Sequence, residues 1–597
     1  MFVRLLCIAG FILFGSCLRP LMAAEAEENI VEKSYGNYPY DEVKPSEPPP
    51  SEGKILNSPE QPSSVYSSRD DKILVRKLNG LYFYDDPCKL SGPDKYNSGL
   101  FAINFELPEI DALGERLQSF MGRPITLNVL KRIQEETVNF FREEGYSLVS
   151  VVIPPGQDIS KGYVKIVILF GRLGKVTAEG ARFFSNTKLA AEVRTKKGQV
   201  ISSAKMLEDL NWLNNNPFRT VDLYYQPGDE VGETDVLLKV KDKVPLRAFV
   251  GYQHTGYEIA GPSRWFMGLN WGRVFGLDDQ FNTQFTCANS IDQWWAVSGN
   301  YILPLPWRHF LKAYGNFVYS RTNQLTDSFR QHGKGWYVGG RYDIPLPAIQ
   351  KLVHDVSIGY DFKRTNNFLS ISANLIYNNY SDISEFLLKY AGTAPDALGS
   401  NSFSMALVWS PGHMTRYNTN RDFEAQRSGA KPNYLYGQLS YDRATGLPFG
   451  FSWSFSFFGQ VASGKLLPAE ELSIGGQYTV RGYKENAVVG DHGFFIKNEL
   501  RTPGVEIFFR RKSKEKQIKD EAQFLIFVDI GWAAQVDRNV VDCSTVALAS
   551  VGPGVRYRIN DFLDLRFDYG VQLANNKDRV VGNGREGRGH FALQLSY

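Results

Sequence analysis

The chain has 597 residues, which is enough for several domains and too long for one ordinary domain. Aromatic residues make up 14% of the chain and charged residues 22%, with 31 Tyr, 40 Phe and 54 Gly. This content is high for a soluble enzyme and typical of antiparallel membrane strands with aromatic girdles and tight turns. The net charge of +3 is small, so the charge balance does not indicate a partner made of nucleic acid.

Residues 1–24 have the features of an export signal. Arg4 supplies a positive charge, residues 5–18 are largely apolar, and Ala24 lies in a small-residue cleavage site. Residues 25–70 are rich in Pro and Ser and predict an extended linker. No later apolar run reaches the roughly 18 residues of a membrane helix. The exported chain is therefore expected to be either soluble outside the inner membrane or a β-barrel.

The cysteines do not indicate a metal site or a catalytic centre. Cys7 and Cys17 lie in the signal, and Cys88, Cys287 and Cys543 are far apart with no metal-ligand spacing. A pair of the last three could form a disulfide in an oxidising compartment, and unpaired thiols fit the sequence equally well. We expect no metal and no cofactor.

Residues 71–172 predict a first small module of mixed helix and strand. Thr126–Glu144 has helical spacing with apolar residues on one side, and Gly145 is placed to end the helix. The predicted strands are Lys72–Tyr84, Leu100–Leu107, Ser147–Ile153 and Tyr163–Phe170.

Residues 173–243 repeat this order in a second module. Helices are predicted near Asn186–Arg194 and at Ser203–Asn214. The predicted strands are Gly174–Glu179, Arg219–Gln226 and Thr234–Lys241. Two consecutive βααββ units of this size are small α+β modules and do not form a large enzyme core.

Residues 244–597 predict an all-β barrel. In Phe562–Leu573 apolar residues alternate strictly with polar or charged ones, which fits a strand between lipid and a wet lumen. A soluble sandwich would show the same period. About 350 residues at roughly 22 per strand and loop give about sixteen antiparallel strands, a suitable number for a membrane barrel. Short turns near residues 303–306 and longer polar loops such as 411–432 also fit a membrane barrel.

Several motifs in these segments resemble those of the two-partner secretion transporters of the haemolysin secretion/activation type. These motifs are Gly145-Tyr146 and Ile153-Pro154-Pro155-Gly156-Gln157-Asp158-Ile159 in the first module, Leu213-Asn214-Asn215-Asn216-Pro217-Phe218-Arg219 in the second, and Gly475-Gly476-Gln477-Tyr478-Thr479-Val480-Arg481-Gly482-Tyr483, Gly490-Asp491 and Phe527-Val528-Asp529-Ile530-Gly531 in the barrel. The resemblance covers nearly all of the chain beyond about residue 95.

The resemblance implies two polypeptide-transport-associated (POTRA) domains and a sixteen-stranded outer-membrane barrel. It also implies that a loop bearing Val480, Arg481, Gly482 and Tyr483 folds into the lumen, where Arg481 pairs with Asp529. The sequence departs from the family pattern in three places. The linker has no clear plugging helix, the turn Arg510–Glu521 is unusually long and basic, and the chain ends in Tyr597 where Phe is usual.

The residues themselves support the lumen pair. If Val528, Ile530 and Trp532 face lipid, the period of two places Phe527, Asp529 and Gly531 inward. An aspartate inside a lumen needs a partner, since an unpaired desolvated charge is costly. Arg481, on a Gly-flanked loop, can supply a bidentate contact. The alternative is that Arg481 lies on a solvated extracellular loop.

The modules are expected to bind an extended client by strand addition at an open sheet edge. Their motif residues Pro155, Gln157, Asn214, Pro217 and Arg219 are candidate functional residues, and the alternative is that the modules act only as rigid spacers. The tryptophans Trp294, Trp295, Trp307 and Trp336 are expected at the membrane interface or facing lipid.

The sequence contains no serine-nucleophile elbow, zinc-protease motif or P-loop, so we expect no enzyme. The function expected is capture of an unfolded exoprotein in the periplasm and its translocation through the barrel to the cell surface. The client is expected to be a β-helical adhesin or a haemolysin-like protein, the other partner is outer-membrane lipid, and the barrel is expected to be monomeric. The alternatives are a factor that inserts other barrels and a passive porin for small solutes.

Overall fold

The computed structural model describes most of the chain in fourteen ranges. They are 45–48, 53–56, 72–85, 90, 97–102, 109–230, 232–256, 261–326, 329–349, 351–371, 374–508, 519–536, 545–574 and 586–597. The predicted signal (1–24), most of the linker, Cys88, Cys543 and most of the basic turn lie outside the described residues.

The first module is a four-stranded sheet covered by helices. Its elements are β2 Gly80–Tyr84, β3 Gly99–Ala102, α1 Ile110–Leu117, α2 Leu127–Glu143, β4 Val149–Val152 and β5 Tyr163–Phe170. The strand β1 (Ile55–Leu56) precedes them in the linker. The sheet order is β3-β2-β5-β4, with β4 and β5 antiparallel and the other neighbours parallel. The strands β3 and β4 are therefore its two edges.

The long helix α2 forms where its sequence predicts it. The Thr126 side chain accepts a hydrogen bond from the Val129 N–H (3.1 Å) and so satisfies a free donor of the first turn. Ile133, Val138 and Phe141 pack into the core between helix and sheet. Gly145 follows the helix with a φ of +90°, a left-handed conformation that glycine adopts readily. The strand predicted over Lys72–Tyr84 is shorter, since only Gly80–Tyr84 pairs with neighbouring strands.

The second module repeats this plan and recruits a strand from the linker. Its own elements are β6 Arg172–Glu179, α3 Asn186–Ala191, α4 Ser203–Leu213, β7 Arg219–Pro227 and β8 Glu233–Asp242. The strand β1 (Ile55–Leu56) pairs in parallel with β7, which gives the order β1-β7-β8-β6. The Leu223 N–H donates to the Lys54 carbonyl (2.9 Å), so the sheet edge is filled by the chain's own linker.

Sixteen strands form a closed barrel, which confirms the fold class predicted from the sequence. The strands are β9 Leu246–Gln253, β10 Arg264–Trp271, β11 Gln280–Cys287, β12 Trp294–Pro304, β13 Phe310–Thr326, β14 Phe329–Pro345, β15 Val353–Ile371, β16 Asn374–Pro395, β17 Gly399–Pro411, β18 Asn433–Gly446, β19 Ser452–Ala462, β22 His492–Arg501, β23 Asp520–Ala534, β24 Thr545–Ile559, β25 Leu563–Gln572 and β26 Gly587–Ser596. Neighbouring strands are antiparallel, and β26 pairs with β9 to close the barrel.

The two faces of the barrel follow the period of two. On β23 the outward Val528 and Ile530 are 40% and 42% exposed, whereas the inward Phe527 and Asp529 are buried. The expectation that Trp294 faces lipid is wrong. Its ring is buried on the inner face under the Arg264 guanidinium (4.3 Å to the ring centroid), because adjacent residues of a strand point to opposite faces.

Two segments from outside the strands occupy the barrel interior. Residues 45–48 of the linker lie in the lumen, where the Ser46 N–H donates to Gln284 (3.1 Å) and the Ser46 carbonyl accepts from Asn270 (2.8 Å). The second segment is residues 463–491 between β19 and β22, here called the lumen loop. It contains the short hairpin β20 (Leu472–Ile474) and β21 (Val488–Gly490).

One long loop lies at the end of the barrel opposite the modules. Residues 412–432, here called the far-end loop, join β17 to β18 and contain the short helix α5 (Asn420–Gln426).

Within the described ranges, none of the helices has the length and apolar content that spanning a membrane requires.

Candidate functional site

The lumen loop places its Arg481 against the inner wall of β23. Arg481 Nε lies 2.7 Å from Asp529 Oδ2, and Nη2 lies 2.8 Å from Asp529 Oδ1, which is a bidentate contact. The Arg481 backbone N–H also donates to Asp529 (3.1 Å). Both side chains are 0% exposed, so the pair is fully removed from water.

Arg481 contacts two further carboxylates and one aromatic ring. Its Nη1 donates to Glu499 on β22 and lies 3.6 Å from Asp568 on β25. The guanidinium carbon lies 3.6 Å from the centroid of the Phe527 ring, within the range of a cation–π contact. The buried arginine therefore joins three strands of the wall through one side chain.

Other arginines balance the same carboxylates. Arg556 and Arg566 contact Asp568 at 2.8 and 3.0 Å, and Arg501 donates to Glu499. The site is therefore an extended network of alternating charges, in which Glu499 and Asp568 each have more than one cationic partner and Asp529 is held by Arg481. Such pairing is what makes buried charges tolerable.

Three glycines allow the loop to approach the wall closely. A Cβ on Gly531 would lie 2.7 Å from Val480 Cγ2, so the Phe-x-Asp-x-Gly strand needs glycine to accommodate Val480. Gly482 has a φ of +89° and packs backbone to backbone against Gly570, where a Cβ on either residue would meet main-chain atoms under 3.0 Å away. The glycines thus fix how deeply the loop inserts.

The last two strands hold the backbone of the motif. The Gly482 N–H donates to His590 Nε2 (3.0 Å), and the Gly482 carbonyl accepts from Gln572 Nε2 (2.8 Å). Tyr483 is buried, and its hydroxyl donates to the Ala549 carbonyl (3.0 Å). The Tyr478 hydroxyl donates to Gln253 on β9 (3.1 Å). The loop therefore contacts strands on both sides of the barrel closure.

Sequence reasoning missed Glu499, His590 and the contact role of Asp568. The inward orientation of Glu499 could have been found, because the charged residues Lys497, Glu499 and Arg501 recur with a period of two on β22. The pairing of these residues with Arg481 could not have been found, because it depends on strands that lie next to one another only after the barrel closes.

The motif residues of the second module attach it to the barrel. Arg219 forms a bidentate contact with Asp278 in the β10–β11 turn (2.6 Å for both nitrogens), and Asn216 donates to the Gly272 carbonyl (2.6 Å). Asn214 instead bonds within the module, donating to the Val221 carbonyl (3.0 Å). Pro217 is buried beside these contacts. In the described structure this motif is a docking surface between module and barrel.

The motif residues of the first module shape a turn. Gln157 accepts the Lys165 N–H (2.7 Å) and donates to the Pro154 and Lys165 carbonyls (3.1 and 3.0 Å), which ties the β4–β5 connection to β5. Pro155 is exposed at the tip of that connection. These side chains order the turn next to the free edge strand β4.

Comparisons with known proteins agree with this architecture. A family model described as haemolysin secretion/activation protein ShlB/FhaC/HecB matches residues 232–557. A ShlB-type POTRA model matches residues 101–171, and a POTRA model described as surface antigen variable number repeat matches residues 171–243. The matched residues of the first model make up more than half of the chain.

Curated relatives with similar sequences are named as transporters. The heme/hemopexin transporter protein HuxB of Haemophilus influenzae is 24% identical over 430 residues, covering 66% of this chain and 69% of the relative. The outer membrane transporter CdiB-2 of Burkholderia pseudomallei is 24% identical and covers 60% and 62%. The hemolysin transporter protein HpmB of Proteus mirabilis is 23% identical and covers 63% and 66%.

Solved structures show the same fold. CdiB from Escherichia coli superposes with a TM-score of 0.70 at 15% identity, over 91% of this chain and 94% of that one. CdiB from Acinetobacter baumannii superposes with a TM-score of 0.64 at 16% identity, over 92% and 94%. With its two POTRA modules, its closed sixteen-stranded barrel and the family match, the chain belongs to the ShlB/FhaC/HecB family of outer-membrane two-partner secretion transporters, which export a secreted exoprotein partner.

Proposed function

We propose that this chain captures its exoprotein as an extended, unfolded polypeptide at a sheet edge of a periplasmic module. It then passes that polypeptide through the barrel once the lumen loop has moved. No catalytic step is part of this proposal. Folding of the client outside the cell makes its return unfavourable and so supplies the direction of transport.

The observation that carries this proposal is the path of the chain's own linker. Residues 45–48 lie in the lumen and bond to its polar wall, and residues 55–56 add a parallel strand to the second module. The same molecule therefore accepts an extended chain both in the barrel and at the β7 edge, where the client would take the place of residues 55–56. Main-chain pairing of this kind is largely independent of side chains, as an unfolded client requires.

The interior is closed by the lumen loop in the state that the structure describes. The buried Arg481 pair holds this loop across strands β22, β23 and β25. A polypeptide cannot pass the same place while these contacts persist. We therefore propose that release of Arg481 from Asp529 accompanies transport.

The client class that we propose is supported by the architecture and by the relatives. A path that admits only extended chains suits a large protein that folds progressively after exit, such as a β-helical adhesin or a haemolysin-like protein. The relatives include a hemolysin transporter protein and a heme/hemopexin transporter protein. We propose a client of the same general type for this chain.

The proposal is tested by identifying and then trapping the client. The client is the protein that disappears from the culture medium when the gene for this chain is deleted. A photo-crosslinking residue at Tyr224 on β7 is expected to capture this client during export, and the same residue at the exposed Lys205 on α4 is the matched control. The proposal would be contradicted if the deletion left every secreted protein in the medium, or if the client were captured equally at both positions.

A further inference from the structure

Asp491 belongs to the Gly490-Asp491 motif. It is a buried acid that is not part of the Arg481 network. It lies at the end of the lumen loop and is fully buried. Its Oδ1 accepts the Leu466 N–H (2.7 Å), and its Oδ2 accepts the Val536 N–H (3.0 Å). Asp491 thus links the segment that enters the lumen, the segment that leaves it and the residues that follow β23.

A second arginine completes this site from another loop. Arg427 of the far-end loop makes a bidentate contact with Asp491, with Nη1 at 2.6 Å from Oδ1 and Nη2 at 2.9 Å from Oδ2. Nη1 also donates to the Leu466 carbonyl and lies 3.1 Å from Glu471, and Nη2 donates to Gln535 (2.9 Å). One guanidinium therefore joins both limbs of the lumen loop at their base.

The helix that precedes Arg427 fills the barrel mouth. Phe423 of α5 is fully buried in an apolar cluster that includes the inward-facing Tyr434 and Tyr436. Leu466 and Leu467 of the lumen loop belong to the same cluster. The Thr419 side chain caps α5 by accepting the Asp422 N–H. The far-end loop and the base of the lumen loop therefore pack as one unit.

We propose that Arg427 is a second positioning residue for export: it holds the base of the lumen loop, and with it α5, in the extracellular mouth of the barrel. Arg481 fixes the tip of the loop and Arg427 fixes its base. Release of the tip alone would leave the exit covered by α5 and the Leu466–Leu467 segment. Exit of the client requires both contacts to open, and this part rests on the proposed passage through the lumen.

The test measures how accessible the lumen loop is in cells, without any client. Cys88, Cys287 and Cys543 are replaced by Ser, and Ala487→Cys in the loop serves as the reporter. A membrane-impermeant maleimide is added outside, and heat-modifiable gel mobility verifies that each barrel is folded. Arg427→Ala is expected to accelerate labelling about tenfold, since a bidentate and largely buried ion pair is lost.

The matched control is Arg421→Ala, an exposed arginine on the same helix, which is expected to leave the labelling rate unchanged. Asp491→Asn preserves the shape of the acid and is expected to accelerate labelling as Arg427→Ala does. Arg427→Ala with Arg481→Ala is expected to label faster than either alone, because the two anchors share no partner. These rates do not depend on the client, so they are separate from the test of capture.

Equal labelling rates for Arg427→Ala, Asp491→Asn and Arg421→Ala in folded barrels would overturn the proposal. If Arg427→Ala fails to fold, Asp491→Asn decides the matter alone, and an unchanged rate for that variant contradicts the role of the pair. Faster labelling of folded Arg427→Ala and Asp491→Asn barrels, with an unchanged rate for Arg421→Ala, supports the proposal. If the Arg427→Ala barrel no longer exports the client but its loop is still labelled slowly, the proposal is overturned.

Discussion

At the scale of single residues, the lumen is organised around an arginine that has lost all of its hydration. A buried ion pair stabilises a fold only if its hydrogen bonds replace those lost to water. Arg481 meets this condition through Asp529, Glu499 and the face of Phe527. The contacts come from a loop and not from a strand, so they can be broken without opening the barrel itself.

The unequal partnership of Arg481 and Asp529 leads to a prediction for two single variants. Arg481→Ala removes a partner from three acids, whereas Asp529→Ala leaves Arg481 bonded to Glu499. Arg481→Ala leaves buried acids short of a cationic partner and removes the loop's fixed resting position, so it is expected to lower export tenfold or more. Asp529→Ala is expected to lower export less, and the double variant to match Arg481→Ala. The measurement is the amount of client in the medium per folded barrel. Effects that multiply would show that the two residues act independently.

Sequence reasoning at this scale succeeded where one strand sufficed. The orientation of Phe527 and Asp529 followed from alternation alone, and the Gly-flanked Arg481 was the natural partner. The same rule, applied strictly, would have prevented the error at Trp294, because Trp295 beside it faces outward. Glu499 and His590 needed the register of strands far apart in sequence, which no local pattern contains.

At the scale of elements, the second module is fixed to the barrel by polar contacts between loops. Arg219 and Asn216 contact the β10–β11 turn, and Arg308 of the β12–β13 turn reaches Asp209 on α4 (2.6 Å). The Trp212 and Phe310 rings also contact each other in a tilted arrangement, with ring centroids 5.2 Å apart. These contacts orient the β7 edge relative to the lumen.

The docking surface gives a prediction for the module. Arg219→Ala removes a bidentate contact to Asp278, so amide exchange in the β10–β11 turn (residues 272–279) is expected to accelerate about tenfold, equivalent to about 1.4 kcal/mol. The barrel itself should keep its stability, because its strands pair independently of the module. Hydrogen exchange followed by mass spectrometry measures this, with Lys205→Ala on the exposed face of α4 as control. Unchanged exchange in the turn would show that Arg219 does not hold the module.

At this scale, local patterns predicted α2 and the three strands of the second module closely, whereas the helix α1 (Ile110–Leu117) was not predicted. The helix α2 begins and ends within one residue of the prediction, because its apolar stripe, its Thr126 cap and Gly145 agree. The strand β2 is shorter than the predicted range Lys72–Tyr84, because a strand begins only where a neighbouring strand pairs with it. The contact of Arg219 with the barrel was not predicted, because it joins residues that are far apart in the sequence, as do the contacts of Arg481.

At the scale of the whole molecule, the barrel is closed by its own strands while the modules and the linker are attached to it. The number of strands could be predicted from length alone, because strand and loop sizes in membrane barrels vary little. The positions of residues 45–48 and 53–56 could not, since Ser46, for example, bonds to Gln594 at the other end of the chain. A linker with no core of its own takes its position from its partners.

Deletion of residues 71–243 tests this division. The barrel is expected to remain in the outer membrane with heat-modifiable mobility, because β9–β26 closure does not involve the modules. Export is expected to stop, because the client loses the sheet edge at which it is captured. Membrane fractionation and the client content of the medium are the two measurements. Normal export by the shortened chain would mean that the modules act only as spacers.

The central claim is that the lumen loop must leave the wall of β23 for the client to pass. The test combines Val480→Cys with Gly531→Cys in a chain whose Cys88, Cys287 and Cys543 are Ser. The two side chains are adjacent, since a Cβ on Gly531 would lie 2.7 Å from Val480 Cγ2, and a disulfide between them would hold the loop on β23. Export is measured with this disulfide oxidised and again after a reductant is added. The account predicts that export stops in the oxidised state and resumes on reduction. Export at the normal rate through barrels whose crosslink is verified would contradict it.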